Sequence, residues 1–360
     1  MKAKTENIDI KNNLKNKVEK ITEARVLVIG DLMLDKFTYG DVIRISPEAP
    51  VPVLHVNHEE SYLGGAGNVA RNISALLENS YKGKVGIIAV IGKDKSTDSI
   101  IEEMNRCNIS KAGIITDESR KTITKTRIVA GNQQIVRIDE ENTSPFPKSI
   151  YKEIEKSFIK NIDDYNVVIM SDYAKGIITE KTAKKIIDIC NKKRIPVLVD
   201  PAIKHFSFYK KATLMTPNLK EAKEGIEAIG GLKGIDDKIN FYELNPKNIN
   251  ILGKSIIKKL GLSKLMITLS ANGMALFDKT IKGEFYIAPT RAKTVFDVSG
   301  AGDTVISVLG MCLSVGFSFK ESAEISNAAA GIVVGKRGTS TLTLQELIEA
   351  LWELIILLFY

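Results

Sequence analysis

Residues 25–30 read RVLVIG, a short apolar run that ends in a glycine. Runs of the same kind recur along the chain, as VGIIAVI (85–91), VVIMS (167–171), IPVLVD (195–200) and KLMITL (264–269). Strands that are buried on both faces of a parallel sheet have this continuous apolar pattern. Helical patterns separate the runs, near residues 66–79, 95–108, 148–162, 178–193, 249–261, 300–316, 320–336 and 343–355. The alternation predicts an α/β fold, a doubly wound and mostly parallel sheet with helices on both faces.

Two stretches depart from this alternation. VPVLHV (51–56) and KTITKTRIVAGNQQIVRI (121–138) alternate apolar with polar residues and have no helix between their strands. Such alternation is typical of strands with one solvated face, so it predicts a small antiparallel sheet beside the main one. The pattern alone fits an edge hairpin and a lid over a cleft equally well. Residues 226–248 are predicted to form an irregular surface connection.

Composition and charge narrow the class of protein. The 360 residues are 44% hydrophobic and 26% charged, which is typical of a globular protein and excludes disordered and collagen-like chains. The net charge is +8, and most of the excess is lysine on predicted helix faces. We therefore expect a small anionic ligand rather than nucleic acid. Cys107, Cys190 and Cys312 are far apart without metal-ligand spacing, which predicts reduced core thiols and no zinc site.

The two ends of the chain differ in character. Residues 1–24 are charged throughout and are predicted to form an N-terminal helical extension. The apolar tail Leu354–Tyr360 is far shorter than the roughly 20 residues of a membrane span, so residues 346–360 are predicted to end a packed helix. We expect a cytoplasmic protein without membrane contact.

The strongest chemical signal is DVSGAGDT at 297–304, which leads directly into an apolar helical stretch. Two glycines at a helix start let successive N–H groups point at one position, where the helix dipole favours an anion such as phosphate. Asp303 falls in the first turn, where a carboxylate could accept a proton from an attacking hydroxyl. An ordinary helix N-terminus with glycines for packing has the same pattern, so the motif alone leaves both interpretations open.

A second glycine motif, GGAGN at 64–68, also precedes an apolar helical stretch. Residues 65–70 have the G-x-G-x-x-A spacing of a dinucleotide fingerprint, but the residues before them make a poor buried strand. We expect these small residues to let a polyhydroxylated ligand approach the backbone, with Asn68 as a hydrogen-bonding partner. GIVVGK at 331–336 has the wrong spacing for a Walker A motif, which excludes a P-loop kinase.

A third feature is TPNLKE at 216–221. Asn218 and Glu221 are three residues apart, so in a helical first turn their oxygens face one side and could hold hydrated Mg²⁺. An N-cap residue and its capping-box partner have the same spacing. On its own, this motif favours the capping role.

In this order and spacing, the three motifs resemble the ribokinase/PfkB family of carbohydrate kinases over roughly residues 24–345. Longer stretches are similar to one branch, the D-glycero-β-D-manno-heptose-7-phosphate kinases that form the kinase half of the bifunctional enzymes of ADP-heptose synthesis. These stretches are GDLMLDKFTYGDVIRISPEAPVPV (30–53), QQIVRID (133–139), SDYAKG (171–176), TPNLKEA (216–222), LSANGMALF (269–277) and NAAAGIVVGKRGTST (327–341). The resemblance implies a ribokinase-like kinase domain over 25–345, whose strands near 36–60 and 121–138 form a lid and a homodimer contact.

The resemblance also implies residue roles. Asp303 would be the catalytic base, beside an anion hole built by the backbone of Gly300, Ala301 and Gly302. The residues implied in sugar binding are Asp35, Gly64, Gly65, Asn68 and Asp172. Those implied in ATP binding are Asn218, Glu221, Ser270, Gly273 and Asn327, of which Asn218 and Glu221 would organise Mg²⁺ through water. A monovalent cation is a further implied cofactor.

A sugar that is already phosphorylated at its far end needs cations to hold that phosphate. Arg44, Arg137 and Lys175 lie in the branch-specific stretches, so we predict that they bind the 7-phosphate. Ordinary surface ion pairing is the alternative. One departure from the family is Ala202, which stands where relatives usually carry a lysine after Asp-Pro.

The sequence therefore predicts an ATP- and Mg²⁺-dependent kinase that phosphorylates the anomeric hydroxyl of D-glycero-β-D-manno-heptose 7-phosphate. The product would be the 1,7-bisphosphate, a precursor for ADP-heptose and lipopolysaccharide or other surface glycans. No nucleotidyltransferase signature follows the kinase domain, so we expect no adenylyl transfer. Alternatives are another PfkB-type sugar or sugar-phosphate kinase, a non-catalytic sugar or nucleotide sensor on the same fold, and a dinucleotide oxidoreductase.

Overall fold

The computed structural model describes residues 14–78, 80–233, 241, 243–278, 281 and 285–359. Residues 1–13 of the predicted N-terminal extension lie outside the described residues, as do positions 234–240 and 242 of the predicted surface connection. The side chains of the apolar tail, from residue 354 onward, lie outside them as well.

The described strands and helices follow the predicted alternation. The strands are β1 (Arg25–Gly30), β2 (Leu32–Ile45), β3 (Pro52–Gly65), β4 (Lys84–Ile91), β5 (Ser110–Thr116), β6 (Thr124–Ala130), β7 (Gln133–Glu140), β8 (Val167–Ser171), β9 (Val197–Asp200), β10 (Leu214–Met215), β11 (Lys264–Thr268), β12 (Met274–Phe277) and β13 (Phe285–Ala288). The helices that we label are α1 (Ala66–Leu76), α2 (Lys95–Arg106), α3 (Lys148–Asn161), α4 (Glu180–Lys193), α5 (Leu219–Ala228), α6 (Pro246–Leu260), α7 (Ala301–Ser314), α8 (Phe319–Val333) and α9 (Leu344–Phe359).

The main sheet has nine strands in the order β13-β12-β11-β10-β9-β8-β1-β4-β5. All pairings from β11 to β5 are parallel, and β12 and β13 join antiparallel at one edge. Along β1, Val26 and Val28 face one hydrophobic core while Leu27 and Ile29 face the other. Burial on both faces explains the continuous apolar runs. The predicted doubly wound, mostly parallel sheet is confirmed.

Helices cover both faces of this sheet. Apolar side chains of α1, α2, α7, α8 and α9 pack on one face, and those of α3, α4, α5 and α6 pack on the other. The chain builds β4 and β5 on one side of β1 and later places β8 and β9 on the other, so the strand order reverses between β1 and β8. Ligands of such folds bind at the carboxyl ends of the strands at this switch point. None of the described helices is long and apolar enough to cross a membrane.

The small sheet has the order β3-β2-β6-β7 and is mixed rather than antiparallel. β2 pairs with β3, and β6 with β7, as antiparallel hairpins, but β2 and β6 pair in parallel. The antiparallel prediction was therefore wrong for the central pair. β2 follows β1 and β6 follows β5, two parallel strands of the main sheet, so both hairpins leave the same edge in the same direction.

The three cysteines are free thiols. Cys190 and Cys312 are buried as predicted, and burial raises the pKa of both thiols. Cys107 is only partly buried because it lies at the C-terminal end of α2, so its prediction as a core residue was wrong.

Close packing fixes α5 against the 3₁₀ segment Ile203–Tyr209. A Cβ on Gly225 would lie 2.3–2.6 Å from three ring atoms of the fully buried Phe206. We expect Gly225→Ala to lower the free energy of unfolding by about 1–3 kcal/mol, although alanine favours helix. Urea denaturation measures this change. The control Glu227→Ala, exposed on the same helix, should change it by less than about 0.5 kcal/mol. Unchanged stability of the Gly225 variant would contradict this packing.

Candidate active site

Three aspartates lie at one edge of the main sheet. Asp31 directly follows β1, Asp172 directly follows β8, and Asp200 is the last residue of β9. These strands are parallel neighbours, so their carboxyl ends meet. The same edge contains the switch point between β1 and β8, where this fold class binds ligands.

The side chain of Asp303 meets this edge from the first turn of α7 and is 7% exposed. Its Oδ2 accepts a hydrogen bond of 2.7 Å from Nδ2 of Asn68, and its Oδ1 accepts one of 2.9 Å from the hydroxyl of Tyr173. Asn68 lies in the first turn of α1, and Tyr173 lies in the loop after β8. Three separate elements thus converge on one carboxylate.

Burial raises the pKa of Asp303 to about 6, and the hydrogen bonds from Asn68 and Tyr173 oppose this rise. The nearby carboxylate of Asp35 raises the pKa further, whereas Arg71 lowers it. At neutral pH the Asp303 carboxylate is therefore mostly ionised, yet it is a stronger base than an exposed aspartate. Such a pKa suits proton transfer near neutral pH.

Asp31 fixes the loop that carries Tyr173. Its Oδ2 accepts hydrogen bonds of 3.0 Å from the backbone N–H groups of Tyr173 and Lys175, and its Oδ1 accepts one of 3.3 Å from that of Ile177. The loop needs this support because Ala174 has a φ of 56°, which is unfavourable for residues other than glycine. Burial raises the pKa of Asp31 to about 6, although the three N–H groups oppose that rise.

The two glycines of residues 300–303, the GAGD motif, shape the start of α7. Gly300 is the N-cap with a φ of 78°, and a Cβ there would lie 2.8 Å from Nδ2 of Asn68. A Cβ on Gly302 would meet no neighbouring atom within 4 Å, so the space beside the first turn is open. The N–H of Ala301 closes a turn onto the carbonyl of Val298 at 3.2 Å. The N–H of Thr304 donates to the carbonyl of Gly300 at 3.0 Å, which leaves the N–H groups of Gly302 and Asp303 to favour an anion in the open space.

Asp35 lies on β2 beside the GGAGN motif and is 6% exposed. Its Oδ1 accepts a hydrogen bond of 2.6 Å from Nη1 of Arg127 on β6. A Cβ on Gly64 would lie 2.2 Å from Oδ2 of Asp35, so only glycine fits here. Gly65 has a φ of 57° and packs against the β1–β2 turn. The structure brings these predicted sugar-binding residues to the same edge as the GAGD motif.

The carboxylate of Asp172 has three partners within the protein and is 5% exposed. Its Oδ2 accepts a hydrogen bond from the hydroxyl of Tyr209 and lies 2.8 Å from Nδ1 of His205. Its Oδ1 accepts a 2.7 Å bond from the N–H of Ala174. These contacts anchor the loop that carries Tyr173, whereas the sequence predicts a role in binding substrate.

Asn218 and Glu221 of the TPNLKE stretch form a capping box at the start of α5. Oδ1 of Asn218 accepts a bond of 3.0 Å from the N–H of Glu221, and Oε2 of Glu221 accepts one of 2.9 Å from the N–H of Asn218. Burial raises the pKa of Glu221. Burial also raises the pKa of Asp200 well above its usual value, and the carboxylates of Asp303 and Glu221 add to that rise. Burial and the neighbouring carboxylates therefore both disfavour the charged form of Asp200.

This donor set decides how a metal ion could bind. Within the described parts of the chain, no three His, Cys, Asp or Glu side chains are close enough to hold a metal directly. The carboxylate of Glu221 helps to raise the pKa of Asp200, and a divalent cation near both side chains would favour their charged forms. Mg²⁺ usually keeps several waters and takes one or two carboxylates together with phosphate oxygens. The residues present fit Mg²⁺ held largely through water.

Three of the predicted nucleotide-binding residues, Ser270, Gly273 and Asn327, lie around residues 288–290. Gly273, with a φ of 87°, is pressed onto this segment, since a Cβ there would lie 1.9 Å from a carbonyl oxygen of it. The N–H of Gly273 donates to the carbonyl of Ser270 at 3.1 Å, which closes a tight turn. Asn327 of α8 donates from Nδ2 to the carbonyl of Pro289 at 2.7 Å. Asn327 thus fixes the segment that packs against the turn.

The three residues predicted to bind a far phosphate are not brought together. Arg44 lies near the outer end of β2, about 40 Å along the strand from the main sheet. Arg137 forms two bonds of 2.9 and 3.0 Å to Asp139, and Lys175 forms an ion pair of 2.6 Å with Glu141. Arg137 and Lys175 thus form ordinary ion pairs, which was the alternative to binding the far phosphate.

Four residues at this edge were not among the predicted site residues, namely Asp31, Arg127, Tyr173 and Asp200. For Asp31 and Asp200 a signal was present, because each directly ends a continuous apolar run, and polar residues there line the ligand crevice. Tyr173 stands inside the SDYAKG stretch, but its role depends on the loop conformation. Arg127 is 92 residues from its partner, so only the strand pairing reveals it.

Known sequences place the chain in a family. The profile of the pfkB family carbohydrate kinases matches residues 23–346. The chain is also 40% identical over 333 residues to the bifunctional protein HldE of Sulfurimonas denitrificans, across 92% of this chain and 65% of that protein. It therefore spans about two thirds of the length of that relative.

Solved structures share the fold. Ribokinase from Thermotoga maritima matches with a TM-score of 0.66 at 19% identity, over 91% of this chain and 99% of that one. Phosphofructokinase-2 from Escherichia coli, in complex with potassium, matches with a TM-score of 0.70 at 16% identity, over 92% and 99%. These similarities confirm the predicted ribokinase-like fold, with its smaller second sheet. On the profile match over residues 23–346, the chain belongs to the pfkB family of carbohydrate kinases.

Proposed function

We propose that this protein is an ATP-dependent kinase that phosphorylates the anomeric hydroxyl of D-glycero-β-D-manno-heptose 7-phosphate to give the 1,7-bisphosphate. The observation that carries the reaction type is the buried Asp303 carboxylate beside the open glycine turn of α7. Transfer of a phosphoryl group to a hydroxyl needs a base and an anion site next to each other.

Asp303 accepts the proton of the acceptor hydroxyl as the hydroxyl oxygen forms a bond to the γ-phosphorus of ATP. The bond from that phosphorus to the bridging oxygen breaks, and ADP leaves. Asn68 and Tyr173 hold the carboxylate in place, and their hydrogen bonds favour its ionised form. The N–H groups of Gly302 and Asp303 stabilise negative charge on the transferring group. The chain's contribution is thus positioning, charge stabilisation and proton acceptance.

The sugar lies against the small sheet, and the nucleotide lies beyond the GAGD motif. Arg127 orients the carboxylate of Asp35 to accept hydrogen bonds from sugar hydroxyls, and Gly64 gives the sugar room. The turn at 270–273 and the segment at 288–290 border the nucleotide cleft, with Asn327 as their support.

Two cations complete the proposed site. Mg²⁺ near Asp200 and Glu221 would neutralise ATP phosphates and favour the charged forms of these carboxylates. The capping pair of Asn218 and Glu221 fixes the geometry of that wall. The potassium complex of phosphofructokinase-2, a protein with the same fold, supports a monovalent cation as well.

The acceptor is inferred from the branch-specific stretches. Two of these stretches contribute residues around Asp303 and the proposed sugar-binding side of the site. Residues 30–53 include Asp31 and Asp35, and residues 171–176 include Tyr173. We propose residues 25–345 as the kinase domain and a cytoplasmic role in supplying ADP-heptose for surface glycans.

Phosphorus NMR with Mg-ATP and heptose 7-phosphate tests this function, with fructose 6-phosphate and ribose as control acceptors. We expect a new anomeric phosphate signal with heptose 7-phosphate and no such signal with either control acceptor. Transfer only to a control sugar would contradict the heptose assignment and retain the kinase. Absence of transfer to every acceptor would contradict the proposed activity.

Replacing the base should abolish most turnover. We expect Asp303→Asn to lower kcat by roughly 10²–10⁴-fold, because an amide cannot accept the proton. Steady-state kinetics measures this, and calorimetric titration with ATP should show retained nucleotide binding. The control Asp98→Asn, exposed on α2, should leave kcat unchanged. Near-normal turnover of the Asp303 variant would remove this residue from the role of base.

The rate should fall in acid as Asp303 becomes protonated. Since its pKa is raised to about 6, kcat/KM should decline as the pH drops through about 6. The Tyr173 hydrogen bond lowers that pKa, so Tyr173→Phe should move the acid limb to higher pH. A pH–rate profile of both proteins measures the shift. An acid limb at the same pH in both would show that Tyr173 does not act on the base.

We also propose a homodimer through the small sheet. Of the fourteen large apolar residues that are exposed in the described part of the chain, seven lie on its strands, namely Val42, Ile43, Ile45, Val56, Ile135, Val136 and Ile138, and Val51 directly precedes β3. The double variant Val136→Lys/Ile138→Lys places two charges on one strand face, so we expect it to be monomeric. Light scattering after size exclusion measures the mass. Ile159→Lys, on α3 at 50% exposure, is the control that should stay dimeric. A wild-type monomer would contradict the proposal.

A further inference from the structure

Lys125 lies on the face of the small sheet that looks toward the candidate site. It pairs in register with Asp35 on the adjacent parallel strand, so both side chains leave the same face. Arg127, two positions on, leaves that face as well and reaches Asp35 at 2.6 Å. Nζ of Lys125 lies 5.9 Å from the ring centroid of Tyr173, whose hydroxyl donates to Asp303. Lys125 therefore lies on the strand next to the proposed sugar-binding carboxylate and close to the tyrosine that holds the proposed base.

Lys125 differs from three neighbouring cations because it has no carboxylate partner within the described part of the chain. Among the described residues, no carboxylate lies within ion-pair distance of its Nζ, and its side chain is half-buried. Three nearby cations are paired with carboxylates: Arg127 with Asp35, Arg137 with Asp139 and Lys175 with Glu141. Arg71 is buried and donates to the carbonyl of Thr339, and Lys36 donates to the hydroxyl of Ser96. An uncompensated ammonium at the border of a cleft attracts an anionic ligand.

The distances fit a sugar that carries a phosphate at its far end. The contacts through Tyr173 place Nζ of Lys125 within about 12 Å of the Asp303 carboxylate, since a tyrosine ring centroid and hydroxyl oxygen are roughly 3 Å apart. In a seven-carbon sugar phosphate, bond lengths separate the anomeric oxygen from the far phosphorus by about 7–9 Å. A hydrogen bond from the anomeric hydroxyl to Asp303 and another from Lys125 to the phosphate span the remaining distance. One sugar phosphate can therefore contact Asp303 and Lys125 together.

We propose that Lys125 binds the far-end phosphate of the acceptor and makes the enzyme select phosphorylated over unphosphorylated sugars. This inference rests on the proposed function, and it assigns the phosphate to a different residue from the three predicted by sequence. Arg127 is engaged in orienting Asp35, whereas the flexible ammonium of Lys125 suits a phosphate dianion.

Steady-state kinetics with heptose 7-phosphate and with unphosphorylated heptose tests the proposal. Lys125→Met keeps most of the side-chain length and removes the charge. We expect its kcat/KM for heptose 7-phosphate to fall roughly 10- to 100-fold, mainly through KM, since a hydrogen bond to a charged group is lost. The kcat/KM for heptose should change little, and Lys125→Arg should restore part of the loss. Added salt should raise KM for the sugar phosphate in the wild type more than in Lys125→Met.

Lys121→Met is the matched control. It removes the same charge four residues away, where Lys121 is exposed and paired with Glu140 at 3.3 Å. We expect this variant to keep the wild-type preference for the phosphorylated sugar. Equal losses in both variants, or an unchanged preference in Lys125→Met, would overturn the subsite and leave the proposed function standing. A wild type that does not prefer the phosphorylated sugar, or phosphorylates neither, would overturn the subsite together with the proposed acceptor.

Discussion

The burial of the Asp303 carboxylate is the constraint on which the rest of the site depends. Moving a carboxylate out of water is unfavourable unless hydrogen-bond donors replace the lost water, which is why burial raises the pKa of Asp303 to about 6. Asn68, Tyr173 and the positive end of α7 offset part of that cost. Asn68 is 235 residues and Tyr173 is 130 residues from Asp303 along the chain, so only the complete fold brings these partners to the carboxylate.

The sheet topology explains why these residues meet. Asp31 and the loop that carries Tyr173 follow β1 and β8, which are neighbours at the point where the strand order reverses. The small sheet grows from the same edge, because β2 follows β1 after a single residue. Asp35 thus reaches the site from a strand that is continuous with the core. A rigid core on one side and hairpins on the other leave the cleft open between them.

Local constraints made much of this arrangement predictable, and long-range ones did not. The strand Val167–Ser171 was predicted with its observed bounds because burial on both faces leaves a continuous apolar run. The importance of Gly64 and Gly300 was predictable because each is required by its local backbone. Gly64 lies too close to Asp35 for a side chain, and Gly300 has a positive φ. The parallel pairing of β2 with β6 is a relation between two distant segments that each show only their own alternation. The Arg127–Asp35 ion pair depends on that pairing and was therefore missed.

The electrostatics of the site differ from those of the whole chain. A net charge of +8 favours an anionic ligand, yet carboxylates crowd the cleft edge: Asp31, Asp172, Asp200, Glu221 and Asp303. In the proposed site, phosphate groups would therefore be held by backbone N–H groups, by a metal ion and by individual nearby cations, and not by the average field of surface lysines. A cation that is already paired offers little to a ligand. The state of pairing, and not the number of cations, decides where a phosphate binds.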